Sequence, residues 1–304
     1  MAVTRAGAAG ARDDGAVTTT DTAALAQGYD STFLGVPAPL PVPVGRPHTV
    51  DLAYLHFTVT LDTTRQLAVV TGVNIDGGEL HDLPRTGEWH LDPRVPASAQ
   101  TGPAVYAAND LDRGHLVRRR DPGWGSKPVA RAATEATFAY TNAAPQAAGF
   151  NQSKELWLGL EDHVLLYADT NDNRVSVFTA PVLAPDDPRY RGTRVPRRFW
   201  KVAAWADGER MLAAAGFVLD QTELLELDEG VLAVPPLGAY RTYQVRIGDI
   251  ETLTGVDFGP FVKADVFAGD PAITGAEWVE LRDAGRIRLS PSGPDPTDGV
   301  ITWQ

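Results

Sequence analysis

Cysteine is absent from all 304 residues. That removes disulfides, thiolate metal ligands and cysteine nucleophiles together, and it does not locate the protein, because a chain this long can bury a core that needs no staples. Long apolar runs are missing as well. None approaches the roughly 20 residues a helix needs to cross a bilayer, so no membrane partner is expected. The opening Met1-Ala2-Val3-Thr4-Arg5-Ala6-Gly7 lacks the apolar stretch of a secretory signal. The expectation is an intracellular protein as written, or an extracellular one if a leader has been removed. Positive charge is scarce overall: 27 Lys and Arg against 39 Asp and Glu leave a formal net charge of −12. Spread evenly, that balance would argue against a phosphate-rich partner.

The cations are not spread evenly. Between Asp112 and Arg131 six basic residues (Arg113, Arg118, Arg119, Arg120, Lys127, Arg131) face two acids. Between Asp186 and Lys201 another six (Arg189, Arg191, Arg194, Arg197, Arg198, Lys201) again face two. A basic groove on an acidic body would still bind nucleic acid, with marked salt sensitivity.

The first of these windows holds Asp112-Arg113-Gly114-His115-Leu116. Further on come Thr141-Asn142-Ala143-Ala144-Pro145-Gln146, Phe150-Asn151-Gln152, Trp157 and Glu161. His115 titrates near neutrality when unperturbed and can take a proton from water as general base. The Arg113 guanidinium suits phosphate oxygens; a salt bridge to Asp112 is the competing role. A hard cation with oxygen ligands would complete a site for phosphodiester hydrolysis.

As a joint pattern these segments resemble the DNA/RNA non-specific endonucleases, the family of the sugar-non-specific bacterial nucleases and endonuclease G. Val73-Asn74-Ile75-Asp76-Gly77, Asp92-Pro93-Arg94, Val177-Phe178-Thr179, Pro196-Arg197-Arg198-Phe199-Trp200-Lys201 and Thr242-Tyr243-Gln244-Val245 look like its framework. The resemblance covers about residues 50 to 265 and implies an α+β fold: a ββα-metal (His-Me finger) core on a mostly antiparallel sheet with flanking helices. It implies a Mg2+-dependent endonuclease, Mn2+ substituting, that cuts DNA and RNA and leaves 5′-phosphate ends. It also implies Asn151 as the single protein ligand of the metal, with a helix N-cap as the alternative role. Asn142, nine residues earlier, joins the catalytic group as support for the His strand; a turn Asn is its competing role. Glu161 would orient the metal's water cage. Its spacing of four from Trp157 fits, whereas ten from Asn151 is two more than the family pattern, which keeps Glu155 open. The family's upstream phosphate-binding arginine has only Arg85 as a candidate, a residue or two early relative to Trp89 and Asp92-Pro93.

Along the chain, residues 1–45, rich in Ala, Gly and Pro, read as a mobile extension, 46–265 as the nuclease domain and 266–304 as a Gly/Pro-rich segment. Strands are expected over His56–Leu61, Leu67–Ile75, around His115, Thr137–Thr141, Val175–Val182, Phe199–Trp205, Met211–Leu219 and Tyr240–Ile247, with another near Arg286–Leu289. Helices are expected over Ser153–Ala168 and Ile250–Thr254. Asp169–Asn173 mimics a calcium loop, but Arg174 stands where Gly is needed. The alternative function is a catalytically silent or partner-activated nuclease-fold module, an intracellular effector held by an inhibitor or by residues 1–45. A homodimer is compatible with either.

Overall fold

The computed structural model describes residues 27–147, 173–228, 231–233, 241–268, 278–281 and 287. The first strands are β1 (Val42–Pro43), β2 (Thr49–Tyr54), β3 (Phe57–Asp62) and β4 (Leu67–Asp76). After a long connection come α1 (Pro103–Tyr106), β5 (Leu111–His115), α2 (Lys127–Ala136) and β6 (Ala143–Ala147). Next are β7 (Arg174–Pro181), the short hairpin β8 (Arg189–Tyr190) and β9 (Thr193–Arg194), β10 (Arg198–Ala206) and β11 (Leu212–Asp220). The series ends with β12 (Glu226–Asp228), β13 (Val231–Ala233), β14 (Arg241–Val245), α3 (Ile247–Thr254), β15 (Val256–Asp257) and β16 (Val279–Leu281).

Eight strands form one sheet in the order β16-β14-β11-β10-β7-β4-β3-β2, and every neighbouring pair is antiparallel. The fold is thus α+β, a mostly antiparallel sheet with few helices. The central strands β4, β7, β10 and β11 are buried along nearly their whole length. Both sheet faces are therefore covered, and these strands read as continuous apolar runs rather than alternating ones.

On one face Phe178 of β7 meets Tyr29 and Phe261 at ring-centroid distances of 5.3 and 4.9 Å, while Gly216 of β11 leaves room for Ile247 and Ile250 of α3. Tyr29 belongs to a strap, residues 27–45, that the composition led us to expect as mobile extension. Instead Phe33, Leu34 and Ala38 are buried in the main core. The Asn74 side chain clamps Asp30, its Oδ1 accepting the Asp30 N–H at 2.7 Å and its Nδ2 donating to the Asp30 carbonyl at 3.2 Å. Proline suits this extended course because the strap makes few ladder bonds. Residues 1–26 lie outside the described residues.

The other face carries the layer that holds the motif. Helix α2 was not expected. Its signal was legible in Ser126-Lys127-Pro128 ahead of an Ala-rich run, a helix-entry pattern with Ala130 and Ala133 facing the interior. The expected strand Thr137–Thr141 is also corrected. These β-prone residues form the exit from α2 and a 3₁₀ turn at Tyr140–Asn142, and the strand is the Ala/Pro-rich β6 just beyond. Propensity lost here to the Asn142 side chain, which closes the turn. The helix α3 begins at Ile247, earlier than expected, and β16 adds to the sheet edge from beyond residue 265. The expected helix Ser153–Ala168 lies outside the described residues, as does the expected strand near Arg286–Leu289 apart from Ile287.

Candidate active site

Strand β5 places the motif. It pairs with β6 in the register Asp112↔Gln146, Arg113↔Pro145, Gly114↔Ala144 and His115↔Ala143. Because strand side chains alternate, Leu111, Arg113 and His115 share one face and Asp112 and Gly114 the other. Arg113 and Asp112 therefore point apart, and among the described residues Arg113 makes no salt bridge. Gly114 is required by a close approach. A Cβ there would lie 2.1 Å from the Gln146 side chain, which crosses over it and is itself buried.

On the functional face the Trp89 indole lies against both motif residues, 4.6 Å from the His115 ring and 5.7 Å from the Arg113 guanidinium carbon. The Phe138 edge closes on His115 from another side at 5.0 Å. Trp89 is brought there by its neighbour His90, whose N–H donates to the Phe138 carbonyl and whose carbonyl accepts the Tyr140 N–H. Two residues on, Asp92 anchors the segment: it accepts from the Tyr54 hydroxyl and from Arg94. Tyr54 has one proton, given to Asp92, so at 2.7 Å Thr141 must donate to the Tyr54 oxygen. This buried chain ties the motif layer to the sheet.

Asn142 braces the exit from β5. Its Oδ1 accepts the Val117 N–H at 2.9 Å, and its Nδ2 donates to the Val117 carbonyl at 2.9 Å and to the Thr137 carbonyl at 3.0 Å. The side chain is fully buried and all its donors are engaged with backbone. Its contacts are those of a side chain that holds the Val117 and Thr137 backbone in place.

The His115 ring is half-buried, but its Nε2 is enclosed and has no hydrogen-bond partner among the described residues. Burial pushes its pKa down to about 3, and the positive charges of Arg85 and Arg119 push in the same direction. Arg85 lies over the Phe138 ring at 5.6 Å, and Arg119 is held by the Leu83 carbonyl at 2.8 Å. His115 thus carries a neutral imidazole whose protonation the nearby Arg85 and Arg119 charges further oppose. Asn151, Glu161 and Glu155 lie outside the described residues.

The sequence model of the DNA/RNA non-specific endonucleases matches residues 42–265. The chain belongs to that family. A Sinorhizobium fredii protein, "Uncharacterized protein y4fB", is 37% identical over 268 residues, which are 80% of this chain and 40% of that protein. A "Nuclease" from a Nostoc species is 26% identical over 186 residues, 59% of this chain and 62% of its own. The chain thus spans less than two thirds of the length of these curated relatives. Among solved structures, a crystal structure of the EndoG/EndoGI complex superposes with a TM-score of 0.52 at 17% identity, covering 68% of this chain and 84% of that one. At that identity the likeness speaks for the fold.

Reading the sequence missed Trp89 and Phe138 as walls around the histidine of this endonuclease-family chain, and Arg119 as its neighbouring charge. Nothing in local spacing marks Trp89 and Phe138, because they meet at His115 through the pairing of residue 90 with residues 138 and 140; Arg119 is held instead by the Leu83 carbonyl. Arg85, a residue or two early against the expected spacing, nonetheless brings its charge to His115.

Proposed function

We propose that the protein is a Mg2+-dependent endonuclease that hydrolyses phosphodiester bonds in DNA and RNA with little sequence preference, leaving 5′-phosphate ends. The observation that carries this reading is His115: an enclosed, neutral imidazole with Nε2 unpartnered among the described residues, next to guanidinium groups that would receive a phosphate. His115 takes a proton from the attacking water. Its low pKa keeps the base unprotonated, and an approaching phosphate anion offsets the arginine charges and strengthens it as the substrate arrives. Arg113, exposed on the same strand face, contacts phosphate oxygens, with Arg85 and Arg119 as further positive charge. Contacts of this kind carry no base information directly, which accounts for low sequence selectivity.

Asn151 is the residue that would hold the metal, with Glu161 or Glu155 orienting its waters. Among the described residues no group of three His, Asp or Glu offers a competing cage. When bound, magnesium supplies positive charge that stabilises the departing oxygen. The silent-module alternative is disfavoured by an intact His115 with its flanking arginines. The test is incubation of duplex DNA and of single-stranded RNA with the protein in Mg2+, Mn2+ and EDTA, followed by end-group analysis. Cleavage of both polymers, metal-dependent and with 5′-phosphate ends, is expected. Uncut polymers with a folded protein would overturn the proposal.

A further inference from the structure

The second basic window builds a cleft of its own. The β8–β9 hairpin, together with Thr64, Arg65 and Gln66, lines a recess of about 340 Å³ that includes Arg189, Arg191 and Arg194. Its charge is poorly neutralised. Arg65 pairs with the Asp187 carboxylate at 2.9 Å. Arg194, by contrast, is held by the Asp187 carbonyl, and Arg191 by the carbonyls of Ala104 and Ala107. Among the described residues no carboxylate pairs with Arg189, Arg191 or Arg194, so four guanidinium groups face one carboxylate.

The hairpin itself is built against its own electrostatics. Arg189 and Arg194 stand directly opposite each other in the register, an arrangement in which like charges destabilise the pair. Its two-residue turn, Arg191-Gly192, has both φ values positive, 47° and 85°. Glycine adopts that conformation freely, whereas arginine is strained in it. Arg191 is kept there by its two carbonyl contacts and by lying over the Tyr190 ring at 5.0 Å. A fold that holds repelling, strained cations at one spot is preorganised for an anion.

The cleft is also tied to the motif strand. Tyr190 belongs to a buried cluster with Leu111, Tyr106 and Tyr140, with Trp89 packed against it. The Asn109 side chain donates to the Tyr190 hydroxyl at 3.1 Å and accepts the Leu111 N–H at 3.0 Å. Leu111 and His115 are the two ends of β5, roughly 13 Å apart at strand rise. That is about four phosphates along one strand of a duplex.

We propose that this cleft is a second phosphate-binding subsite, which grips the sugar-phosphate backbone of the substrate several nucleotides away from the bond cut at His115. The proposal rests on the nuclease reading above, since the ligand is that enzyme's substrate. Among the described residues Arg189 is the cleft cation free to contact phosphate; Arg191 and Arg194 shape the recess and add charge, and Gln66 supplies a neutral polar group.

The test compares Arg189→Glu with a charge-matched control on β14, Arg241→Glu, both in the full chain carrying His115→Ala so that bound polymer is not consumed. Fluorescence anisotropy in Mg2+ measures binding of a labelled duplex of about 20 base pairs and of a labelled single-stranded dinucleotide, too short to reach the cleft by the spacing above. Arg189→Glu is expected to weaken the long duplex about tenfold at 0.1 M salt and to lower the slope of log K against log salt by about one to two. The dinucleotide should show no such penalty, and the control should change the long duplex less than about twofold. Equal losses in both variants, or none, overturn the subsite while leaving the nuclease reading intact if His115-bearing protein still cuts. If the protein neither binds nor cuts, both fall together. Matching thermal unfolding curves show that the exposed substitutions leave the fold in place.

Discussion

At His115 burial and the Arg85 and Arg119 charges act in one direction, and this sets a pH signature. The folded chain protonates the ring only near pH 3, against 6.5 for the free side chain. Between those values the unfolded chain binds more protons, so stability falls as pH drops from 6.5 towards 3 and is untouched by this group above 6.5. The acid limb of kcat/KM, which reports the free enzyme, is expected well below 6.5 and should climb in Arg85→Gln or Arg119→Gln. A wild-type limb at or above 6.5 would remove the case for a buried, cation-flanked base. On the proposed reading, Arg113 serves chemistry and Asn142 support. Arg113→Ala should cut kcat/KM by about 10²-fold without shifting the urea midpoint, since the side chain is exposed. Asn142→Ala leaves the Val117 and Thr137 backbone groups unpaired and should cost about 2–4 kcal/mol of stability. If equilibrium unfolding shows the reverse ranking, the assigned roles are wrong.

At the scale of elements, the β5–β6 hairpin explains why glycine stands between Arg113 and His115. Gly114→Ala drives a methyl into Gln146 and should destabilise the fold by about 1–3 kcal/mol. Gly114→Ala combined with Gln146→Ala should recover much of that loss in urea titrations; simple additivity would rule out the clash as the cause. The strap makes a similar demand. Truncation at residue 26 should leave a folded domain, whereas deletion through residue 45 removes Phe33, Leu34 and Ala38 from the core. That larger deletion should lower the melting temperature steeply or abolish folding, as circular dichroism would register. Strands were legible wherever burial on both faces produced long apolar runs, as in β4 and β10. The strap was not, because Pro-rich composition also describes packed segments that bond through side chains. α2 and β6 were not read as elements, and the strand expected over Thr137–Thr141 is a turn, since a saturated Asn142 outweighed the β-propensity of those residues.

For the whole molecule, a net charge of −12 coexists with two cationic windows that the fold brings to one region. The Tyr190 cluster and Asn109 join the hairpin to β5 across 81 residues of sequence, which on the proposal above puts both windows along one substrate. The motif strand was legible from local spacing; this convergence was not, because it depends on long-range packing. An acidic body with a local basic surface should show cleavage that falls at least about tenfold between roughly 50 and 200 mM salt. No helix among the described residues is long and apolar enough to cross a membrane. The central claim, that His115 is the base of a metal-dependent nuclease, is tested most directly by nicking of supercoiled plasmid. Wild type and His115→Ala would be compared in Mg2+ and in EDTA, with both proteins shown to bind DNA. The account expects nicking by wild type in Mg2+ alone, reduced by at least about 10³-fold in His115→Ala with binding retained. Equal nicking by the two proteins would contradict it.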